Sequence, residues 1–185
     1  MLDTAIKNQL SSHFSTLTGD IELVLALDES NKSRELRALA DDLSSLSERI
    51  TVNQADDPAL RRPSMTVKGA QGTRISFAGV PMGHEFTSLV LALLHSGGVA
   101  TKADEHQIAQ IQALDKTLNF EVYISLSCQT CPGVVQALNT MAALNNRIQV
   151  TMIDGALFQD EVEQRNIMAV PTVYLNGEIF SQGAL

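Results

Sequence analysis

The sequence has few of the groups with which proteins bind metal ions, nucleic acids or membranes. Its two cysteines and four histidines include neither a second CxxC nor a closely spaced histidine pair, so a closed four-ligand zinc site is not apparent. Thirteen Lys and Arg residues stand against 21 Asp and Glu residues, and this formal net charge of -8 argues against nucleic acid or an anionic membrane as a partner. The longest apolar run, Leu89–Leu94, is far too short to span a bilayer.

A leader peptide and a dinucleotide-binding motif are missing too. Residues 1–17 mix charged and polar side chains with apolar ones, unlike the apolar stretch of a signal peptide. The glycine clusters Gly69–Gly72 and Gly97–Gly98 lack the GxGxxG spacing of a dinucleotide fingerprint. We therefore expect a cytoplasmic protein whose residues bind no cofactor and no metal. In that compartment a lone CxxC is more often redox-active than structural.

Both cysteines lie in one short stretch, Cys128-Gln129-Thr130-Cys131-Pro132. Aromatic and β-branched residues before it predict a strand over residues 120–126. Apolar residues at helical spacing after it predict a helix that begins near Cys131; they are Val134, Val135, Leu138, Met141, Ala142 and Leu144. Pro132 fits the first turn of that helix, because its missing N–H would have no intrahelical partner there.

This position predicts a reactive dithiol. A sulfur just before the first helical turn meets unpaired backbone N–H groups and the positive end of the helix dipole, both of which favour the thiolate. We therefore predict that Cys128 is the nucleophile and that Cys131, one turn on, resolves the mixed disulfide. Half of a zinc site and two inert core cysteines remain the alternatives.

Periodicity predicts the other elements of an α/β chain with enough apolar residues, 44%, for a sizeable core. Helices are expected over residues 3–14, from after 32 to about 49, 86–96, 104–114 and 158–165. Strands are expected over residues 21–27, 50–52, 64–68, 73–78, 148–153, 172–175 and 178–181. The last two strands flank Asn176-Gly177, a strong hairpin signal.

The predicted elements follow the same order twice. Leu46–Val52 parallels Leu144–Val150, and the strand and helix before each also correspond. In the first series, Glu29, Ser30, Asn31 and Lys32 stand where the second has its cysteines. We predict an internal duplication with one active half and one scaffold half, although a similarity over so few positions could also arise by chance.

The second series resembles the thioredoxin fold. A βαβ unit with CxxCP is followed by a hairpin that is entered through Val170-Pro171-Thr172. In that fold the proline before the hairpin strand is cis and lies beside the active disulfide. The resemblance therefore implies a cis Pro171, whereas base rates alone favour a trans proline that opens an edge strand.

Nearly the whole chain is similar to a second family, the N-terminal domains of the flavoprotein component of bacterial alkyl hydroperoxide reductase. The similarity rests on Gly79–Phe86, Ser125–Cys128, Cys131–Pro132, Val134–Asn139 and Asn166–Pro171. It implies two tandem thioredoxin-like subdomains with central mixed sheets flanked by helices: residues 1–100 without cysteines and residues 101–185 with the CxxC. A thioredoxin unit normally closes with a helix after its hairpin, and the end of the sequence at Ser181–Leu185 therefore suggests a fragment of a longer flavoprotein.

The resemblance also implies a function. The domain would take electrons from a C-terminal thioredoxin-reductase-like module that holds FAD and NAD(H), in a homodimeric full-length protein. It would then reduce the disulfide of the partner peroxiredoxin, the second component of the reductase, and so support peroxide reduction under oxidative stress. The alternatives are a stand-alone glutaredoxin-like or disulfide-isomerase-like oxidoreductase, and a metal-binding or interaction module.

Several site residues are assigned through this resemblance. It places Glu85 near the disulfide, where the carboxyl could exchange a proton with the thiols; the alternative is a first-turn carboxylate favoured by the helix dipole. Pro171 and Thr172 would support the site, as would Pro132, Gln129 and Thr130. The family often has His-Asn at the last two positions and Asp at the position of Gly133, so these departures leave the sign of their effect on the redox potential open. His84 is more simply explained as a surface or capping residue.

Overall fold

The structure is a computed structural model, and it describes residues 1–183. Residues 184 and 185, the end of the predicted second subdomain, lie outside the described part. The helices are α1 (Thr4–Phe14), α2 (Asn31–Ser45), α3 (Phe86–Ser96), α4 (Glu105–Gln112), α5 (Cys131–Leu144) and α6 (Gln159–Gln164). The strands are β1 (Ile21–Ala26), β2 (Ile50–Gln54), β3 (Ser64–Gly69), β4 (Arg74–Ala78), β5 (Leu118–Ile124), β6 (Ile148–Asp154), β7 (Thr172–Leu175) and β8 (Glu178–Gln182). None of the described helices is both long and apolar enough to cross a membrane.

The helix starts have local causes. Ser30 caps α2 by accepting a hydrogen bond from the Ser33 N–H at 3.2 Å. Asp104 and Gln107 form a capping box at the start of α4. The predicted strand over residues 120–126 ends early, at Ile124, because the Cys128 N–H donates to the Ser125 carbonyl at 3.0 Å and closes a turn. The two residues that follow Ile124 therefore belong to the loop that carries the CxxC.

All eight strands form one mixed sheet in the order β2-β1-β3-β4-β6-β5-β7-β8. In each half a parallel pair, β1–β2 or β5–β6, lies beside an antiparallel hairpin, β3–β4 or β7–β8. The strand order in the two halves is therefore the same, as the predicted duplication requires. β4 and β6 pair in parallel from Ile75 opposite Val150 to Ala78 opposite Ile153, so the sheets expected for the two halves are continuous.

The two halves also share one hydrophobic core. Helix α3 of the first half packs against α5 of the second, and α5 also contacts β4 across the boundary. One cluster of buried side chains runs from Leu23 and Leu25 in β1 to Val135 and Leu138 in α5. Because each fully buried Leu or Val contributes roughly 1.5–3 kcal/mol, this cluster holds the halves together as well as each half by itself.

A charged cluster joins the halves on another part of the surface. Arg61, in the β2–β3 connection, donates two hydrogen bonds to the Glu161 carboxylate of α6 at 2.7 and 2.9 Å. It also bonds Glu121 of β5, which accepts from Arg165 at 3.1 Å. The Arg165 guanidinium lies 4.2 Å from the centre of the Tyr174 ring. These contacts fix α6 against the sheet, a few residues before Pro171.

Candidate functional site

The sheet topology brings three separate segments to one edge. Strands β4, β5 and β6 are parallel, so their carboxyl ends lie at the same edge, and antiparallel β7 begins there. Gly83–Glu85 follows β4, Ser125–Cys131 follows β5, and Pro171 immediately precedes β7. The predicted site residues from both halves of the chain are therefore gathered at this edge.

Cys128 and Cys131 form a disulfide with their Cα atoms 5.5 Å apart. The Cys131 side chain is fully buried, whereas Cys128 is only partly buried. The Cys131 N–H donates to the Cys128 sulfur at 3.2 Å. A partner molecule can therefore reach Cys128 but not Cys131, and the start of α5 already supplies one hydrogen bond to the accessible sulfur.

The first turn of α5 leaves its N–H groups available to that sulfur. Thr130 precedes the helix but makes no side-chain capping bond, and no acidic residue lies in the first turn. The Thr130 hydroxyl instead lies 3.6 Å from the Cys128 sulfur. Pro132 occupies the first turn as predicted, and Gln129 lies beside the disulfide. Sulfur, hydroxyl and helix N-terminus thus form one small polar surface.

Pro171 lies at the start of β7, next to the end of β5. Its peptide bond with Val170 is cis, the isomer that the resemblance implies. Thr172 is buried opposite Tyr123, and its hydroxyl donates to the Ala169 carbonyl at 2.6 Å. Both residues are buried and hold the loop before β7 at the edge where the CxxC loop lies.

Glu85 is fully buried at the end of the 3₁₀ turn Gly83–Glu85. One carboxyl oxygen, Oε1, accepts a hydrogen bond from the Ser88 hydroxyl at 2.7 Å, and the other, Oε2, has no partner among the described residues. Burial raises the pKa of Glu85, and the Ser88 hydrogen bond only partly offsets this rise. A buried carboxyl with a raised pKa and one free oxygen is suited to exchange protons near neutral pH.

The turn that carries Glu85 is docked on the CxxC loop. The His84 N–H donates to the Leu126 carbonyl at 3.1 Å, two residues before Cys128, while the His84 side chain is exposed. Gly83 has a φ of +60°, and a Cβ there would lie 3.0 Å from the Leu126 oxygen. Glycine at position 83 therefore allows the first-half turn to approach the loop of the second half closely.

Four residues of this region escaped the sequence prediction. Ser88 and Gln136 form a hydrogen-bonded chain to Glu85, and a serine one turn after Glu85 in an otherwise apolar helix was an available signal. Met168, which is 92% exposed before Pro171, gave no signal because an apolar residue ordinarily predicts burial. Pro63 precedes β3 with a cis peptide bond, and the duplication could have indicated it as the counterpart of Pro171.

The first half also has a counterpart of the CxxC itself. Ser30 and Ser33 lie 98 positions before the two cysteines, the same offset that relates the sequence repeats. The Ser33 N–H donates to the Ser30 oxygen at 3.2 Å, the distance found for the cysteine pair, and Ser33 is buried like Cys131. Both hydroxyls also bond the Asp28 carboxylate, and these hydrogen bonds lower the pKa of Asp28 to about 2.

This correspondence makes a direct prediction. In a protein whose natural cysteines are both serine, the pair Ser30→Cys and Ser33→Cys is expected to form a disulfide, because the backbone there matches the CxxC turn. Thiol titration after incubation with oxidised glutathione should find no free thiol, and reduction should release two. The Asp28 carboxylate should disfavour a thiolate at position 30, so Asp28→Asn should speed its reaction with a thiol reagent.

Each single cysteine variant, Ser30→Cys or Ser33→Cys alone, is the control and should keep one titratable thiol or its glutathione adduct. Two free thiols that persist in the oxidised double variant would contradict the structural correspondence.

Comparison with known proteins assigns the chain to a family. A thioredoxin domain profile matches residues 118–185. Over its whole length the chain is 56% identical to the alkyl hydroperoxide reductase protein AhpF of Pseudomonas putida and 46% identical to that of Escherichia coli K12. It is 31% identical to the crystal structure of the NTD_N/C domain of alkylhydroperoxide reductase AhpF from Enterococcus faecalis, with a TM-score of 0.86 over 100% of this chain and 96% of that one. The chain belongs to the family of AhpF N-terminal domains.

The same comparisons set the scope of this family assignment. The chain spans 36% of the length of the Pseudomonas putida and Escherichia coli relatives. A protein disulfide oxidoreductase from Aeropyrum pernix shares the fold over 100% of this chain with a TM-score of 0.82, at 18% identity.

The structure also bears on the zinc alternative. Within residues 1–183, no group of three or more His, Cys, Asp and Glu side chains is arranged to hold a metal ion. The two cysteines of the described chain are paired with each other in the disulfide.

Proposed function

We propose that this chain reduces the disulfide of a partner peroxiredoxin, the second component of alkyl hydroperoxide reductase, by dithiol–disulfide exchange. The observation that carries the proposal is the pair of sulfurs at the start of α5: one is accessible and hydrogen-bonded by the helix, and the other is buried directly behind it. Membership of the AhpF family supports this choice of partner.

The exchange takes two steps. In the reduced chain the Cys128 thiolate attacks one sulfur of the partner disulfide, a mixed disulfide forms, and the other partner sulfur leaves as a thiolate. Cys131 then loses its proton and attacks the Cys128 sulfur, so the mixed disulfide breaks and the second partner thiolate leaves. The partner gains two electrons and two protons, and Cys128 and Cys131 form the disulfide present in this structure.

Cys131 must be deprotonated although it is buried, and burial disfavours a thiolate. Glu85 is a candidate for accepting that proton, since its turn contacts α5 and is hydrogen-bonded to the CxxC loop. Its raised pKa suits a group that takes the proton in this step and returns it when the chain is reduced again.

The supporting residues have simpler proposed roles. Gln129 and Thr130 lie beside Cys128 and would contact the peroxiredoxin there. Pro132 begins α5 at the position that presents the sulfur to free N–H groups. Pro171 and Thr172 form the buried wall beside the CxxC loop, and Met168 adds exposed apolar surface for the partner next to them.

The electrons would come from a C-terminal thioredoxin-reductase-like module holding FAD and NAD(H), in a cytoplasmic homodimer. The described residues do not fit a dinucleotide: Gly69–Gly72 turns the β3–β4 hairpin and Gly97–Gly98 follows the end of α3, whereas a dinucleotide fingerprint leads from a strand into a helix N-terminus. We further propose residues 1–100 and 101–185 as the two subdomains, the first being a scaffold that supplies Glu85.

A substrate comparison tests the proposal. The reduced chain should reduce an oxidised peroxiredoxin of the alkyl hydroperoxide reductase system at least about tenfold faster, at equal concentrations, than it reduces insulin or a glutathione mixed disulfide. Stopped-flow measurement of thiol consumption gives the rates. The opposite preference would favour a stand-alone disulfide oxidoreductase, and stoichiometric zinc in the reduced chain would favour a metal-binding module.

A further inference from the structure

Three side chains from three elements form one hydrogen-bonded chain between the halves. Gln136 of α5 donates from Nε2 to the Ser88 hydroxyl oxygen at 3.1 Å, and Ser88 of α3 donates its proton to Glu85 Oε1 at 2.7 Å. Ser88 and Glu85 are both fully buried. The first half supplies two members, and the second half supplies the third from the helix that begins with Cys131.

The direction of these hydrogen bonds follows from the donors available. A serine hydroxyl has one proton to donate, and the amide N–H of Gln136 occupies an acceptor position of its oxygen. The Ser88 proton is therefore directed to Glu85 Oε1, and only Oε2 is left to take up or release a proton. Gln136 thus determines the orientation of Ser88, and Ser88 determines which oxygen of Glu85 is free.

The outer end of this chain reaches a cavity between α3, α4 and α5. Gln136 lines this cavity of about 790 Å³ together with Leu94, His95, Ile111 and Met141. The titratable groups on the elements packed against Glu85 are His84 on its own turn, His95 at the end of α3, and the two cysteines. α5 carries no charged side chain, so Gln136 is the polar contact between α5 and the buried carboxyl chain.

We propose that Ser88 and Gln136 are positioning residues that hold the Glu85 carboxyl in the orientation needed for proton exchange with the dithiol. This inference rests on the role proposed above for Glu85. It assigns a task to the contact between α3 and α5: the half without cysteines supplies the carboxyl, and a residue five positions after Cys131 orients it. Both residues act through Glu85 and neither reacts itself.

The pH dependence of Glu85 tests this inference. The Ser88 hydrogen bond favours the carboxylate, so Ser88→Ala should move the titration of Glu85 to higher pH by about one unit, the size expected for losing one hydrogen bond to a charged group. Infrared spectroscopy can follow the C=O band of the protonated carboxyl, assigned as the band that Glu85→Gln removes. The rising limb of the pH–rate profile of dithiol transfer should shift in the same direction.

Ser96→Ala is the matched control, because Ser96 is a buried serine of the same helix whose hydroxyl has no partner among the described residues. It should leave both midpoints unchanged. Ser88→Thr should restore the wild-type midpoint, and Gln136→Leu should move it less far than Ser88→Ala does.

An infrared midpoint in Ser88→Ala equal to that of Ser96→Ala would overturn the inference. The role of Glu85 in transfer fails separately, by a wild-type transfer rate in Glu85→Gln. The infrared midpoint still decides in that case whether Ser88 and Gln136 orient the carboxyl.

Discussion

Cys128→Ser is expected to abolish reduction of the peroxiredoxin disulfide, with a loss of at least about 10³-fold, because a serine hydroxyl supplies no nucleophile comparable to a thiolate at neutral pH. The fold should be retained, since position 128 lies in a loop and is only partly buried. The measurement is the rate of thiol appearance in the peroxiredoxin when the reduced chain is in excess. Circular dichroism and the melting temperature of the variant verify the fold.

Cys131→Ser gives the complementary result. The nucleophile is intact, so the first step proceeds, but no second thiol is present to resolve the product. A covalent one-to-one adduct with the peroxiredoxin should accumulate and disappear on addition of dithiothreitol. An adduct formed by the Cys128→Ser variant instead would reverse the roles of the two sulfurs, and full transfer by either variant would refute the dithiol mechanism.

Glu85→Gln is expected to slow dithiol transfer by about 100-fold at neutral pH, the lower end of the usual contribution of a positioned acid or base. Glutamine has nearly the same shape and can still accept the Ser88 hydrogen bond, so the loss would report proton exchange rather than packing. The matched control is Glu105→Gln, an exposed glutamate in the first turn of α4. That variant should transfer at the wild-type rate, and an equal rate in Glu85→Gln would remove Glu85 from the mechanism.

The stability of Glu85→Gln should depend on pH in a defined direction. Burial raises the pKa of Glu85 above its ordinary value of 4.5, so above that pH the folded protein binds more protons than the unfolded chain. Stability therefore falls as the pH rises from 4.5 through the folded-state pKa. Relative to the wild type, the variant should gain melting temperature between about pH 5 and pH 8, and it should lose that advantage at about pH 4. A constant difference across the range would contradict a raised pKa.

Local sequence signals were sufficient for the redox pair and for most elements. The strand before Cys128, the helix after it and Pro132 in the first turn all follow from periodicity and backbone chemistry within about 25 residues. The strand end at Ile124 was misplaced, because Ser125 and Leu126 continue the apolar pattern while a hydrogen bond to Ser125 turns the chain. Such turn hydrogen bonds leave no mark in the alternation of apolar and polar residues.

The surroundings of the dithiol depend on contacts between distant residues. Glu85 reaches the CxxC loop only because β4 pairs with β6, a contact between residues about 75 positions apart. Ser88 and Gln136 are 48 positions apart and meet because α3 packs on α5. Neither contact follows from residue type, because polar residues on a helix usually face solvent.

By itself, therefore, the sequence determined the dithiol, its place at a strand-to-helix junction and the twofold order of elements, because each depends on neighbouring residues. Only the tertiary structure decided that the half without cysteines supplies a buried carboxyl chain to the half that has them. The reason is physical: strand pairing and helix packing across the boundary depend on the shapes of two folded surfaces, and no single stretch of the chain contains both.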